Sequence, residues 1–298
     1  MLTMKRYIIL LCIGYFFFGS IAKATTTDFL SQAISGPMEV EKITANDLGV
    51  SEPKILPGSS WYWMKEWWRG VRIFTSLGEA SKAQKLLKYS NEKLYEIKVL
   101  ADKKAKDEVV QKAFEKYIQS IEDLKKHLGF MKDKKAVEKI IDTMTQKEFI
   151  KNRIFGFLEI KLGDFVLKYK EKSFDVFGNL ISKIDIKVAK KSLTEYVDKN
   201  IKLDSKSIKD IQFIDKIKEL YKNTTTQEII GNISEYAFSK IGDNIKNINK
   251  EELEKTINEF LGNETGTTTD ADTKGIIERI KEEKIKIEKE LREKAEEN

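Results

Sequence analysis

Cysteine occurs once in the 298 residues, at Cys12, and histidine once, at His127. So sparse a supply of the usual ligands and bases excludes the common zinc sites. It equally excludes Ser-His and Cys-His nucleophilic machinery. No glycine-rich phosphate loop is present, since "LGEAS" and "GDNIKN" lack the required glycine and lysine spacing. Proline is confined to Pro37, Pro53 and Pro57. An interior helix proline costs about 3 kcal/mol, so the proline-free remainder is permissive for long helices. The chain has a single long apolar run, Tyr7 to Ile21.

That run follows Lys5 and Arg6 and precedes Ala22-Lys23-Ala24, the layout of a secretory signal over residues 1–24. It falls short of the about 20 apolar residues a spanning helix needs. The expectation is export to the periplasm or beyond, and the alternative is an uncleaved N-terminal anchor. Leu11, where a lipobox requires a small residue, argues against lipidation at Cys12. A cleaved chain would hold no cysteine and therefore no disulfide. Loss of the leader would lower the net charge from +6 to +3. The charges are abundant and mixed in sign, as on solvated helices; clusters such as "KDKKAVEK" alternate with acids, which speaks against nucleic acid as a partner.

Apolar residues recur in steps of four and three through Ala83, Leu87, Ser90, Leu94, Ile97 and Ala101, and again through Val110, Phe114, Tyr117, Ile121, Leu124 and Leu128. Two coiled-coil seams joined by the polar "DKKAKDE" predict an antiparallel helical hairpin. Further helical stripes run through Val137, Ile140, Ile141 and Met144, through Ile150, Ile154, Phe157, Leu158 and Phe165, and through Phe174, Phe177, Leu180, Ile181 and Ile184. "DFVLKYK" alternates briefly, but a lone strand would have no pairing partner. Thr225 with Glu228 and Asn249 with Glu252 have capping-box spacing. The helix opened at Asn249 would bury Leu253, Ile257, Phe260 and Leu261 and stop at Gly262. The expected fold is all-α: an elongated helical hairpin or bundle with a tryptophan-rich docking helix and a separate charged C-terminal helix. Its expected parts are a linker over 25–55, the aromatic helix and hairpin over 56–130, a further bundle over 131–262, a linker over 263–275 and the charged helix over 276–298. That last helix has only a thin apolar line, Ile277, Ile280, Ile287 and Leu291, and reads as solvated.

Catalytic candidates are absent. His127 near a helix end suits the helix dipole, and acid pairs such as Glu122-Asp123 and Glu251-Glu252 point apart on a helix. The sequence therefore predicts no enzyme, no cofactor and no metal site.

All four tryptophans lie in "WYWMKEWW", residues 61–68. On a helical wheel Trp61, Trp63, Met64, Trp67, Trp68, Val71 and Phe74 share one arc. Lys65, Glu66, Arg69 and Arg72 lie opposite, with Tyr62 and Ile73 among them. Ser59 or Ser60 would cap the start. Large aromatics at helical spacing usually pack, so the leading expectation is that the arc closes the core of the hairpin. The competing one makes Trp61, Tyr62, Trp63, Trp67 and Trp68 a surface that grips a protein or the cell envelope.

The stretch "ILPGSSWYWMKEWWRGVRIF" and the helix after it resemble an uncharacterised bacterial family, domain of unknown function 5667, over about residues 55–130. Leu56, Pro57, Ser59, Tyr62, Lys65 and Phe74 match its opening, as does Trp67 or Trp68. Asn91-Glu92-Lys93 stands where the family carries a polar-charged cluster, while Ser60 and Met64 replace the usual proline and leucine. The resemblance implies an exported or membrane-anchored helical protein with no assigned activity. The functional expectation is a non-enzymatic cell-envelope binding or scaffolding module. The alternative is the extracytoplasmic sensor of a signalling system, whose membrane contact would come through the uncleaved N-terminal segment.

Overall fold

A computed structural model describes residues 43–245 apart from 183, 184, 203 and 222, together with 275, 278–282, 285 and 289. Beyond Pro57 the proline-free chain winds into α1 (Tyr62–Phe74), α2 (Glu79–Asp102), α3 (Asp107–Phe130) and α4 (Lys134–Leu162). It continues through α5 (Leu167–Ile181), α6 (Ile186–Asn200), α7 (Ser205–Glu219) and α8 (Thr224–Ile245). All regular structure among the described residues is helical, so the all-α expectation holds.

The hairpin forms as its seams require. All twelve seam positions from Ala83 to Leu128 are buried, and α2 and α3 make the most extensive helix pair among the described residues. The connection is tight because Lys104 adopts a left-handed φ of 51°. That geometry lets the Ala105 amide donate to the Leu100 carbonyl at 3.0 Å and the Lys104 amide to Ala101 at 3.0 Å, a Schellman closure built without glycine.

Several local expectations are corrected. The stripes at Val137–Met144 and Ile150–Leu158 belong to one helix, the 29-residue α4, because nothing between them breaks it. "DFVLKYK", for which a lone strand is disfavoured, is a 3-10 turn at Asp164–Val166 running into α5. At the start of α8 the Asn223 side chain accepts from the Thr226 amide at 3.1 Å, so Thr225 lies inside the helix and is not its cap. The Asn249–Glu252 cap, the helix after it and the Tyr7–Ile21 run lie outside the described residues.

The core is continuous from Ile43 to Ile280. Part of the expected 25–55 linker is packed: Ala45 and Leu48, in a 3-10 turn at Ala45–Leu48, are buried against α2 and α4. Asn91 Nδ2 and Lys147 Nζ hold that turn by its carbonyls, at Leu48 and Asp47. Aromatic stacking ties the layers together, with Phe114 on Tyr169 at 4.5 Å and Phe149 on Tyr196 at 3.7 Å. The C-terminal helical residues are not simply solvated. Ile280 is only 2% exposed, Arg279 stacks on Phe238 at 3.9 Å and pairs with Glu235 at 2.7 Å. Of the thin apolar line, Ile280 is thus buried, and its neighbour Arg279 is seated on α8, which a wheel of that segment alone does not show.

Candidate binding surface

Helix α1 is amphipathic, and it docks by its polar side. Tyr62 and Arg69 are its buried residues, each 6% exposed, while Lys65, Glu66 and Ile73 are half-buried. Facing them on α2 stand Glu92, Lys93 and Glu96. The two sets share one spacing, i, i+1 and i+4, with opposite signs. Laid antiparallel they pair Lys65 with Glu96, Glu66 with Lys93 and Arg69 with Glu92.

Glu96, 1% exposed, is the centre. It accepts from the Tyr62 hydroxyl at 2.7 Å, from Lys65 Nζ at 2.6 Å and from Arg69 Nη2 at 2.7 Å. Arg69 also reaches Glu66 at 2.5 Å and Glu92 at 2.7 Å and lies over the Tyr89 ring at 5.5 Å. Lys65 adds a bond to the Ile55 carbonyl at 3.0 Å, tying the chain before the helix to the same cluster. Three cations face three carboxylates, so the cluster is neutral as a unit. Burial alone would raise the Glu66 carboxyl, but Lys93 and Arg69 outweigh it and hold Glu66 below its ordinary value. Burial pulls the Lys93 ammonium down by more than Glu66 restores. Tyr62 is pushed up by burial and by the negative charge of Glu96, and so remains a hydroxyl donor.

The opposite side of α1 faces solvent. Trp61 is 63% exposed, Trp63 65%, Trp67 59% and Trp68 49%, and Met64, Phe74 and Leu77 are exposed with them. Trp67 and Trp68 meet with ring centroids 6.0 Å apart and planes tilted by 35°, and Arg72 lies 5.6 Å from the Trp68 ring. A Cβ added at Gly70 would meet nothing within 4 Å, as expected of an open face.

The expectation that the arc closes the hairpin core is therefore overturned. Leaving an indole this exposed forgoes roughly 2–3 kcal/mol of apolar burial. The ionic register decides the outcome: had the arc packed inward, α2 would have buried Glu92, Lys93 and Glu96 against indoles, leaving them unpaired at a cost of several kcal/mol each. Of the five residues expected to form a gripping surface, Trp61, Trp63, Trp67 and Trp68 come together outside. Tyr62 does not, because its hydroxyl is committed to Glu96. The buried set of Lys65, Glu66, Arg69, Glu92, Lys93 and Glu96 was missed, although its mirrored spacing is legible once the two helices are laid antiparallel. Ser59 and Ser60 do not cap α1 through their side chains; Trp61 occupies the cap position, and the Tyr62 amide bonds to the Ser59 carbonyl at 3.1 Å.

His127 Nδ1 meets Glu79 Oε2 at 2.5 Å, which fastens the end of α3 to the start of α2. A cleft of about 280 Å³ between the 3-10 turn, α2 and α4 is rimmed by Lys88, Lys139 and Lys147, and its lining holds no carboxylate. Among the described residues no cluster of three His, Cys, Asp or Glu side chains is placed to hold a metal, and no helix is long and apolar enough to cross a membrane.

Neither the curated proteins nor the solved structures contain a match to the chain. A family model does match, and its span takes in α1, the whole α2–α3 hairpin and the first part of α4. Tyr62 and Lys65, two of the residues behind the resemblance, are donors to Glu96, so the resemblance falls on the docking cluster as well as on the aromatics. Residues 54–152, about a third of the chain, match the model of the family described as Domain of unknown function (DUF5667).

Proposed function

We propose that the protein is a non-enzymatic cell-envelope binding module whose gripping element is the outward face of α1. The observation that carries this reading is the orientation of that helix, with four tryptophans at 49–65% exposure while its charged side is buried. A contiguous exposed apolar patch of this kind marks an interaction site in a stable protein. The ion network supports the reading further, because it fixes the helix before any partner arrives and so lowers the ordering cost of binding. The expected leader supports the reading, because an exported chain would meet the envelope.

The test is acrylamide quenching of tryptophan fluorescence with and without purified cell envelope. All four tryptophans lie on this face, so the signal reports nothing else, whether or not an N-terminal segment is retained. Strong quenching of the free protein and clear protection on adding envelope are expected. Protein that sediments with the envelope while its tryptophans stay fully quenchable would show that another surface does the binding.

A further inference from the structure

Resting on that reading, we infer that the partner of the α1 face is a lipid bilayer interface, entered from the headgroup side and favoured by anionic lipid. Shape is the first argument. The helix packs principally on α2, and its tryptophans project from the far side as a convex ridge. A ridge of 13 residues is about 20 Å long. It suits a fluid layer that closes around it better than a partner that must supply a matching groove. Two copies meeting ridge to ridge would touch along a narrow strip and would bring Arg72 near its own counterpart, so self-association is the poorer fit.

Composition is the second argument. Tryptophan combines a large apolar ring with one N–H donor and is the side chain enriched at headgroup depth. Four of them with Met64 and Phe74 make the apolar half of a helix that lies in the interface plane, immersed by about 5–10 Å.

The third is charge complementarity. Glu66 is the only acid of α1 and is turned inward onto Lys93 and Arg69. Two exposed cations flank the helix: Arg72 beside the Trp68 ring and Lys116 over the Tyr62 ring. Lysine and arginine beside an immersed apolar face attract anionic headgroups. The inward ion network thus performs two tasks with one arrangement, holding the helix and removing its carboxylate from the membrane side.

The experiment uses the full chain with protein-free vesicles of phosphatidylcholine alone and of phosphatidylcholine with phosphatidylglycerol, each also prepared with acyl-brominated lipid. Emission that shifts to the blue and is quenched by brominated lipid is expected on the anionic vesicles, with binding several-fold weaker on the neutral ones. Trp63→Ser/Trp67→Ser, which keeps Trp61 and Trp68 as reporters, should weaken the blue-shifted state at least ten-fold. Arg72→Glu should lower affinity for the anionic vesicles and leave the neutral ones unchanged. Tryptophans protected by whole envelope but untouched by brominated lipid in protein-free vesicles would overturn the lipid assignment in favour of a protein partner and leave the binding role standing. A concentration-dependent dimer whose emission is already blue without lipid would overturn it in favour of a second copy.

Discussion

Glu96 is the residue on which the placement of α1 depends. It is buried at 1% exposure, and its carboxylate accepts from a hydroxyl, an ammonium and a guanidinium on one neighbouring helix. Removing one partner of a buried charge cluster costs about 3–5 kcal/mol, because the others stay buried without compensation. Glu96→Ala is therefore expected to lower stability by about 3 kcal/mol, read by urea denaturation followed by circular dichroism. Glu66 adds a pH dependence whose sign follows from its shift. Its folded pKa lies below the ordinary 4.5, so its contribution is fully present above that value and is lost as pH falls through the folded one. The stability gap between wild type and Glu66→Gln should be open at neutral pH and close as the pH drops below 4.5; a gap that widens in acid would contradict the assignment. Deeper in the bundle, Glu148 and Lys151 pair at 3.1 Å, and burial raises the Glu148 carboxyl despite Lys151. Such a pair contributes little net stability against apolar residues of like volume. Glu148→Leu with Lys151→Met together should match or exceed wild type in thermal denaturation, while either change alone should be strongly destabilising.

At the scale of the element, α1 inverts the usual relation between amphipathicity and burial. A helical wheel reveals two faces but not which one docks. The hairpin seams were legible in the sequence because Leu94 and Ile97 on one helix and Phe114 and Leu124 on the next recur at coiled-coil steps, and each apolar line has the other to pack against. For α1 the answer lies in another helix, in the reversed sign pattern of Glu92, Lys93 and Glu96, which apolar periodicity does not register. The single long α4 was obscured for a simpler reason, since two stripes with a polar interval look like two helices when no breaker is required between them. A second consequence concerns the hairpin connection. Lys104 holds a left-handed backbone that costs an L-residue roughly 1 kcal/mol or more and glycine almost nothing. Lys104→Gly is expected to stabilise the protein by about 0.5–1 kcal/mol, measured as a higher urea midpoint with an unchanged slope.

Across the whole molecule, one core links the family region to the helices that follow. The family match ends at residue 152, inside α4, and leaves Ile154, Phe155 and Leu158 of that helix beyond it. Those three side chains are buried in the common core, with Phe155 stacked against Phe114 of the hairpin at 6.2 Å. Cutting at the end of the match would therefore open the hairpin core to water. The C-terminal residues Arg279 and Ile280 return to α8 and contribute to the same molecule-wide packing, which a linear reading of the sequence assigned to solvent. The arrangement is a helical bundle that carries α1 with its aromatic side turned out, and the proposed binding role rests on that orientation. Intrinsic tryptophan emission of the free protein tests it most directly, because every tryptophan of the chain lies between residues 61 and 68. The account predicts red, solvent-like emission that acrylamide quenches readily in a fully helical, folded protein. Blue emission shielded from acrylamide in the folded, monomeric protein would mean that the indoles are inside, and would contradict it.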